Sequence, residues 1–261
     1  MRREWILLTA LLMLLGAGWG VTQPLSKIAV SEGYRHVGII FWQMALGAVV
    51  LGAITLARGR TLPLAPRHLT VYVALALLGT VLPNAASYEA ARHLPAGWLA
   101  LAVSTVPLMA LPIALALGLD RFGWGRLAGL LAGLAGVAML ALPVQEWATG
   151  SAAPDALPPG MAVWLAVALI APAFYALEGN YVAKFGTAGL DPVQALFGAS
   201  LVGAAITAPL ALALGEWIDP RPPWGPPDGA IALSAAIHAL VYSGYVWMVG
   251  RAGAVFAAQV S

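Results

Sequence analysis

Two ionisable side chains of this 261-residue chain stand inside long apolar segments, where a charge is costly. Glu178 follows Phe174 and Tyr175 closely, and His238 lies near the middle of another apolar segment. A charged group at the bilayer centre costs about 2.5 kcal/mol or more on insertion scales, so such residues are candidates for function. A carboxyl group can bind a proton or a cation, and histidine changes protonation in the physiological range. We predict proton coupling or cation recognition at Glu178, and a proton relay or a substrate hydrogen bond at His238.

Both residues also have a simpler interpretation. Glu178 could pair with Lys184 or extend to the inner membrane surface, and His238 could be neutral and hydrogen-bonded to a neighbouring helix. Glu89 and Arg92 are one helical turn apart, which predicts an ion pair near the outer surface.

Aromatic, amide and lysine side chains complete the set of candidates. Tyrosine and tryptophan have apolar faces and polar tips, which suit either a cavity lining or the membrane interface. Lysine at a helix end can serve a cavity mouth or extend its amine into the headgroups. The candidates for a substrate or proton pathway are Trp19, Gln23, Lys27, Asn84, Tyr88, Glu178, Asn180, Lys184, His238, Tyr242 and Tyr245.

The composition indicates which kind of structure positions these side chains. Hydrophobic residues make up 61% of the chain and charged residues 9%, against roughly 45–50% and 25% in soluble domains. In lipid every backbone polar group must be satisfied internally, so only helices or closed barrels span the membrane. The apolar runs are long and do not alternate, which predicts an all-α membrane protein. Cysteine is absent from the sequence, which excludes disulfides and thiolate metal sites.

Eight apolar segments are each long enough to cross a bilayer, which takes roughly 20 residues. Nine of the 13 lysines and arginines fall on the side of the N-terminus if that terminus is cytoplasmic. This asymmetry predicts a multi-pass protein of the inner (plasma) membrane with its N-terminus inside. The predicted spans are Trp5–Ala29, Val37–Ala57, Leu69–Ala91, Ala96–Leu119, Arg126–Leu142, Gly160–Ala183, Pro192–Leu214 and Gly229–Val249.

The spans suggest an internal repeat. Residues 1–145 hold five spans, 146–159 form a periplasmic linker, and 160–261 form the second half. An odd number of spans makes the second half enter the membrane upside down, as in many secondary transporters. A shift of about 157 residues places Lys27 on Lys184 and Tyr88 on Tyr245. By this alignment Gly253–Ser261 starts a ninth helix, so we expect eight complete helices, a partial ninth, and a cavity open on one side.

Three segments carry recognisable patterns. Leu119–Val137 holds an acidic and a basic residue followed by a glycine stripe, Trp19-Gly20 is followed by Lys27, and Tyr88–Gly97 joins two spans. They resemble the fifth helix with its preceding loop, the first helix, and the turn between the third and fourth helices of the drug/metabolite transporter superfamily of the EamA type. Asp120 stands where glutamate is usual in that family.

The resemblance implies a polytopic bundle of two inverted five-helix repeats, ten helices in all, which moves small metabolites or drugs by alternating access. It implies a small-molecule substrate, a lipid bilayer around the protein, no cofactor and no enzymatic activity. The glycine stripe would let helices approach closely, at Gly129, Gly133 and Gly136.

A rival hypothesis is a non-transporting membrane scaffold, or a truncated remnant, whose glycine stripe packs against a partner. The sequence also leaves open whether the protein forms a homodimer. The sequence contains no phosphate-binding loop, no His-Glu-x-x-His and no Gly-x-Ser-x-Gly. Its basic residues lie in loops rather than on one face, so we expect no nucleic-acid partner.

Overall fold

Apolar composition and helical periodicity produce helices throughout the part of the chain that can be described. The computed structural model describes residues 2–121, 123–141 and 160–260. These residues contain helices and no strand. The helices are α1 (Arg2–Ser31), α2 (His36–Ala57), α3 (Pro66–Ala76), α4 (Leu82–His93), α5 (Ala96–Val103), α6 (Val106–Ala116), α7 (Trp124–Ala141), α8 (Met161–Ala168), α9 (Ile170–Phe185), α10 (Pro192–Ala213), α11 (Pro226–Ala252) and α12 (Ala254–Ala257), with a π turn at Leu77–Val81 and a 3₁₀ turn at Ala258–Val260.

The predicted spans agree with these helices to within about three residues at each described end, a normal difference between assignments. Seven segments of the described chain are long and apolar enough to cross a membrane. Helix α7 occupies the place of the predicted fifth span and lies outside that group of seven. The all-α prediction is therefore confirmed. The predicted linker 146–159, Leu142 and Ser261 lie outside the described residues.

Prolines divide three of the spans into two helices each. Proline has no backbone N–H and clashes with the carbonyl four residues before it. Pro83 follows the π turn Leu77–Val81, Pro107 follows the break between α5 and α6, and Pro172 follows the break at Leu169. At the second break the hydroxyls of Ser104 and Thr105 donate to backbone carbonyls of α5 at 2.8 and 2.6 Å. The Thr105 backbone N–H also donates to the Ala102 carbonyl, at 3.1 Å, so side chain and backbone together stabilise the break.

Successive spans run antiparallel, so the bundle has two ends. We call them the Ser31 end, where α1 ends and α2 begins, and the Ala57 end, where α2 ends and α3 begins. Helix α1 packs along α11, α10 packs along α2 and α3, and α9 packs along α4 and α6. Helix α7 contacts α5 and α6 at the edge of the bundle.

The buried core divides into two large apolar clusters along the bundle. The cluster nearer the Ala57 end includes Leu51, Leu75 and Val249, and the cluster nearer the Ser31 end includes Ile40 and Leu94. Along their helices, buried polar side chains lie between the two clusters. They include Thr22, Thr80, Ser200, Ser234 and His238.

Candidate functional site

Four aromatic side chains from α1 and α11 meet near the centre of the bundle. The ring centroid of Trp19 lies 6.3 Å from that of His238, 6.1 Å from Tyr242 and 5.3 Å from Tyr245. The spacing of three and four residues between His238, Tyr242 and Tyr245 places them on one face of α11. Trp19 Nε1 donates to His238 Nδ1 at 3.4 Å. The structure thus brings together four of the predicted candidates, which we call the central aromatic cluster.

The carboxyl group of Glu178 lies beside this cluster. Its residue is 1% exposed, and Oε1 has no hydrogen-bond partner among the described residues. No described ion pair involves it, and Lys184 instead donates to the Leu117 carbonyl at 2.9 Å. The alternatives in which Glu178 pairs with Lys184 or extends to the membrane surface are therefore wrong. The carboxyl group stays in the interior because its helix packs between α4, α6 and α11.

Two glycines make room for the tyrosine hydroxyls that face Glu178. A Cβ at Gly79, within the π turn, would overlap the Tyr242 hydroxyl and lie 3.3 Å from Glu178 Cγ. A Cβ at Gly179 would lie 2.6 Å from the Tyr245 hydroxyl oxygen. The Tyr242 hydroxyl also has no partner of good hydrogen-bond geometry among the residues that the structure describes. The π turn, Glu178 and Tyr242 thus form one close-packed contact.

A chain of hydrogen bonds extends the polar interior toward the Ser31 end. Gln43 Oε1 accepts from Asn84 Nδ2 and from the Tyr88 hydroxyl, both at 2.9 Å. The Tyr175 hydroxyl donates to Asn84 Oδ1 at 2.7 Å. These bonds connect α2, α4 and α9 through buried side chains. Asn84 and Tyr88, both predicted candidates, therefore lie in one network.

Two small cavities lie in this polar interior. Each offers about 10 Å³ to the centres of water molecules, which is room for about one water. The first is lined by Gln43, Thr80, Ser200, His238 and Tyr242, among apolar side chains. The second is lined by Ser26, Gln43, Tyr88 and Ser234, again among apolar side chains. A groove of about 280 Å³ lies between α9 and α11 at the Ala57 end.

Three other candidates bind backbone carbonyls. Asn180 is fully buried and donates from Nδ2 to the carbonyls of Ala110 and Ala176 at 3.1 and 2.8 Å. Lys27 Nζ donates to the carbonyls of Ala91 and Leu94 at the end of α4, at 2.5 and 3.4 Å. Lys184 Nζ donates to the Leu117 carbonyl at the end of α6. An amine at a helix C-terminus satisfies free carbonyls and opposes the negative end of the helix dipole.

The remaining candidates lie away from the central aromatic cluster. Gln23 is half-buried on α1 and lines neither small cavity. A Cβ at Gly129, Gly133 or Gly136 would meet no described atom within 4 Å. The close helix packing expected at this stripe is therefore not formed with the described helices. The physical reason is the position of α7 at the edge of the bundle, where the stripe faces outward.

Ion pairs close both ends of the bundle. At the Ser31 end, Arg92 binds Glu89 at 3.0 Å as predicted, and His36 Nδ1 lies 3.3 Å from Glu89 and 3.8 Å from Glu216. Glu216 also accepts from the Val37 backbone N–H at 2.9 Å. These contacts tie the start of α2 to the end of α4 and to the segment after α10.

At the Ala57 end, Asp191 binds Arg58 and Arg60 at 3.4 and 3.0 Å. It also caps α10 by accepting from two backbone N–H groups.

At the Ser31 end, the Tyr34 hydroxyl donates to Asp228 at 2.8 Å. Burial and the neighbouring Asp228 carboxylate raise the pKa of Tyr34 to about 12.

A family model, described as the EamA-like transporter family, matches residues 5–142. The match covers more than half of the chain. The chain belongs to the EamA-like transporter family. This membership and the membrane-length helices make it a multi-pass membrane transporter of the drug/metabolite type, as the resemblance implied.

The fold of this EamA-like protein also matches a solved structure. A crystal structure of a protein superposes with a TM-score of 0.63 at 17% sequence identity, over 96% of this chain and 84% of the other. At that identity the match shows the fold alone. No curated protein matches the sequence.

Gln43 is the residue at the centre of this EamA-like transporter that the sequence reasoning missed. It lines both small cavities and accepts two of the hydrogen bonds described above. Its signal was present, because a glutamine stands inside an otherwise apolar span. The sequence does not show which face of α2 turns inward, so Gln43 was not selected beside Gln23 and Asn84. Thr80, Ser200 and Ser234 were missed as well.

Proposed function

We propose that this EamA-like protein is a secondary transporter that exports or exchanges a small organic solute across the inner membrane by alternating access, coupled to protons through Glu178. The supporting observation is the Glu178 carboxyl group, which is 1% exposed and has no ionic partner among the described residues. Burying an unpaired charge in a membrane protein is costly. Binding a proton removes that cost, so Glu178 can alternate between two states as the bundle opens and closes.

The central aromatic cluster supports a solute site beside this carboxyl group. Trp19, Tyr242 and Tyr245 contribute aromatic rings, and His238 Nε2 has no partner in the described part of the chain. Apolar walls with a few unsatisfied polar groups are typical of sites for small molecules. The two cavities beside this cluster, of about 10 Å³ each, are far too small for an organic solute, so they do not form the cavity open on one side that the sequence predicted. The solute would bind when α1 and α11 separate.

We further propose that the N-terminus is cytoplasmic, which makes the Ser31 end the outer end. The excess of lysine and arginine at the Ala57 end supports this orientation. The two halves, 1–145 and 160–261, would be inverted repeats that move against one another around the central aromatic cluster.

The experiment is pH-gradient-driven transport in liposomes that contain the full chain. A panel of amino acids, nucleosides and organic cations is screened first by thermal shift, and the solutes that raise the melting temperature are then tested for uptake. We expect a pH gradient to drive uptake in the parent protein and not in Glu178→Gln, while solute exchange without a gradient persists in both. Equal gradient-driven uptake in the two proteins would exclude Glu178 as the coupling residue.

One observation favours the rival scaffold function. The stripe Gly129, Gly133 and Gly136 faces away from the described helices, and small residues suit close contact with another helix. Cross-linking of a cysteine introduced at Gly133 would detect such a partner. A scaffold would give cross-links and no uptake of any solute in the panel.

A further inference from the structure

Gln43 lines both of the small cavities, which therefore adjoin at its side chain. Its residue is 4% exposed. Two donors, Asn84 Nδ2 and the Tyr88 hydroxyl, hold its Oε1 in place. Its Nε2 carries two hydrogens that can be donated to water in the cavities.

Each cavity has the polar lining that a buried water requires, namely two to four hydrogen-bonding partners. Hydroxyls of Ser26, Tyr88 and Ser234 line the cavity nearer the Ser31 end. Thr80, Ser200, His238 and Tyr242 line the other, and one of its polar atoms, His238 Nε2, has no protein partner in the described chain. A dry cavity would leave this atom unsatisfied at a cost of about 1–3 kcal/mol.

The polar groups follow one another in depth from the Ser31 end. At 1.5 Å per residue, Gln43 lies about 10 Å along α2 from that end. His238 and Tyr242 lie about 18 and 24 Å along α11. Glu178 adjoins Tyr242 at Gly79. The groups therefore form a continuous series from Tyr88 to Glu178.

We propose that one water on each side of Gln43 completes a proton path from the Ser31 end to Glu178, with Gln43 positioning both waters. The outer water passes a proton directly to the inner water beside Gln43, whose amide stays unchanged. The inner water passes a proton to the Tyr242 hydroxyl, which gives its own proton to Glu178, so both waters and Tyr242 end unchanged. The Glu178 carboxylate gains one proton and becomes a neutral acid. The titratable groups that face Glu178 are Tyr175 on its own helix and Tyr242 and Tyr245 on α11. This inference rests on the proposed protonation of Glu178.

The test measures how fast Glu178 takes up a proton in the full chain in liposomes, and needs no solute. The carboxyl band of Glu178 is assigned by infrared difference against Glu178→Gln and followed after a pH jump on the Ser31 side. Gln43→Met has a similar volume but cannot hold water, so we expect protonation at least tenfold slower. Gln43→Ser leaves room for water but loses the amide that positions it, so we expect a rate below that of the parent and well above that of Gln43→Met.

Gln23→Met is the matched control, because Gln23 is a half-buried glutamine that lines neither cavity. Its rate should equal that of the parent. If Gln43→Met fails to fold, Ser234→Val closes the outer of the two cavities and should slow protonation equally. Equal rates in the parent and in the blocking variants would overturn the path and leave the coupling proposal intact. A Glu178 band that never titrates in the parent would overturn both.

Discussion

The indole nitrogen of Trp19 lies 3.4 Å from Nδ1 of His238, which joins α1 to α11 near the centre of the bundle. An indole N–H can only donate, so Nδ1 is the acceptor and the neutral ring carries its proton on Nε2. We predict one tautomer of His238 in nitrogen-15 NMR spectra of the labelled protein. Trp19→Phe keeps a ring but removes the donor, so both tautomers should then appear. A mixture already present in the parent would contradict the hydrogen bond.

Gly79 has no room for a side chain, because the Tyr242 hydroxyl occupies that space. We predict that Gly79→Ala lowers the free energy of unfolding by about 1–3 kcal/mol, which is typical of overpacking. Gly133→Ala is the matched control, since no described atom lies within 4 Å of its new Cβ. Chemical unfolding in detergent measures both variants. If the two variants are equally stable, the π turn adapts to the added methyl group without a loss of free energy of unfolding.

Lys27 binds two carbonyls at the end of α4 from a partly buried position. Hydrogen bonds of charged groups contribute about 1.5–3 kcal/mol, so Lys27→Met should lower the free energy of unfolding by about 1–2 kcal/mol. The bond of Lys184 to Leu117 is exposed, and Lys184→Met should therefore cost less. The same unfolding measurement compares them, and a larger loss at Lys184 would contradict the greater contribution that we assign to Lys27.

Asp191 combines a helix cap with an ion pair. Its carboxylate accepts from the backbone N–H groups of Val193 and Gln194 and binds Arg60. We predict that Asp191→Ala costs about 1 kcal/mol of stability through loss of the cap. Asp191→Asn retains a capping oxygen without the charge, and its thermal melting should lie close to that of the parent. If both variants lose equal stability, the ion pairs rather than the cap stabilise this helix start.

The raised pKa of Tyr34, at the Ser31 end, predicts that the stability of the protein depends on pH in the alkaline range. Its pKa is about 12 in the folded protein, against an ordinary value of 10.0, because of burial and Asp228. A raised pKa means that the protonated form stabilises the fold, so this contribution is complete below pH 10 and is lost as the pH rises through about 12. Tyr34→Phe removes this group, so the melting temperature of the variant should fall less over that pH interval than that of the parent. If the melting temperature of the variant falls as steeply with pH, other groups cause the loss of stability at alkaline pH.

The positions of the helices could be predicted because each depends on local sequence. A run of roughly 20 apolar residues spans the bilayer wherever it occurs. Breaks precede Pro107 and Pro172, where proline lacks the N–H. We also expected breaks at Pro24, Pro112 and Pro209, and this was wrong, because these prolines lie inside continuous helices. The capping residue Asp191 likewise marks the start of α10. Fold class, span boundaries and family resemblance therefore follow from local features of the amino-acid sequence.

The inward faces of the helices could not be predicted in the same way. Lipid tails are as apolar as leucine, so a helix face toward lipid and a face toward a neighbour have similar composition. This is why the stripe at Gly133 was expected to pack and instead faces outward, and why Gln43 was missed. The side-chain partners of Gln43 come from other helices, and no local pattern indicates them.

By itself, then, the sequence determined that this protein crosses the membrane repeatedly, where most helices begin and end, and that Glu178 stands inside a span. Only the tertiary structure decided that Glu178 has tyrosines rather than Lys184 beside it, and that Gln43 joins Asn84 and Tyr88. The physical reason is the range of the interactions. Chain crossing depends on local hydrophobicity, whereas the polar interior depends on contacts between helices that are distant in sequence.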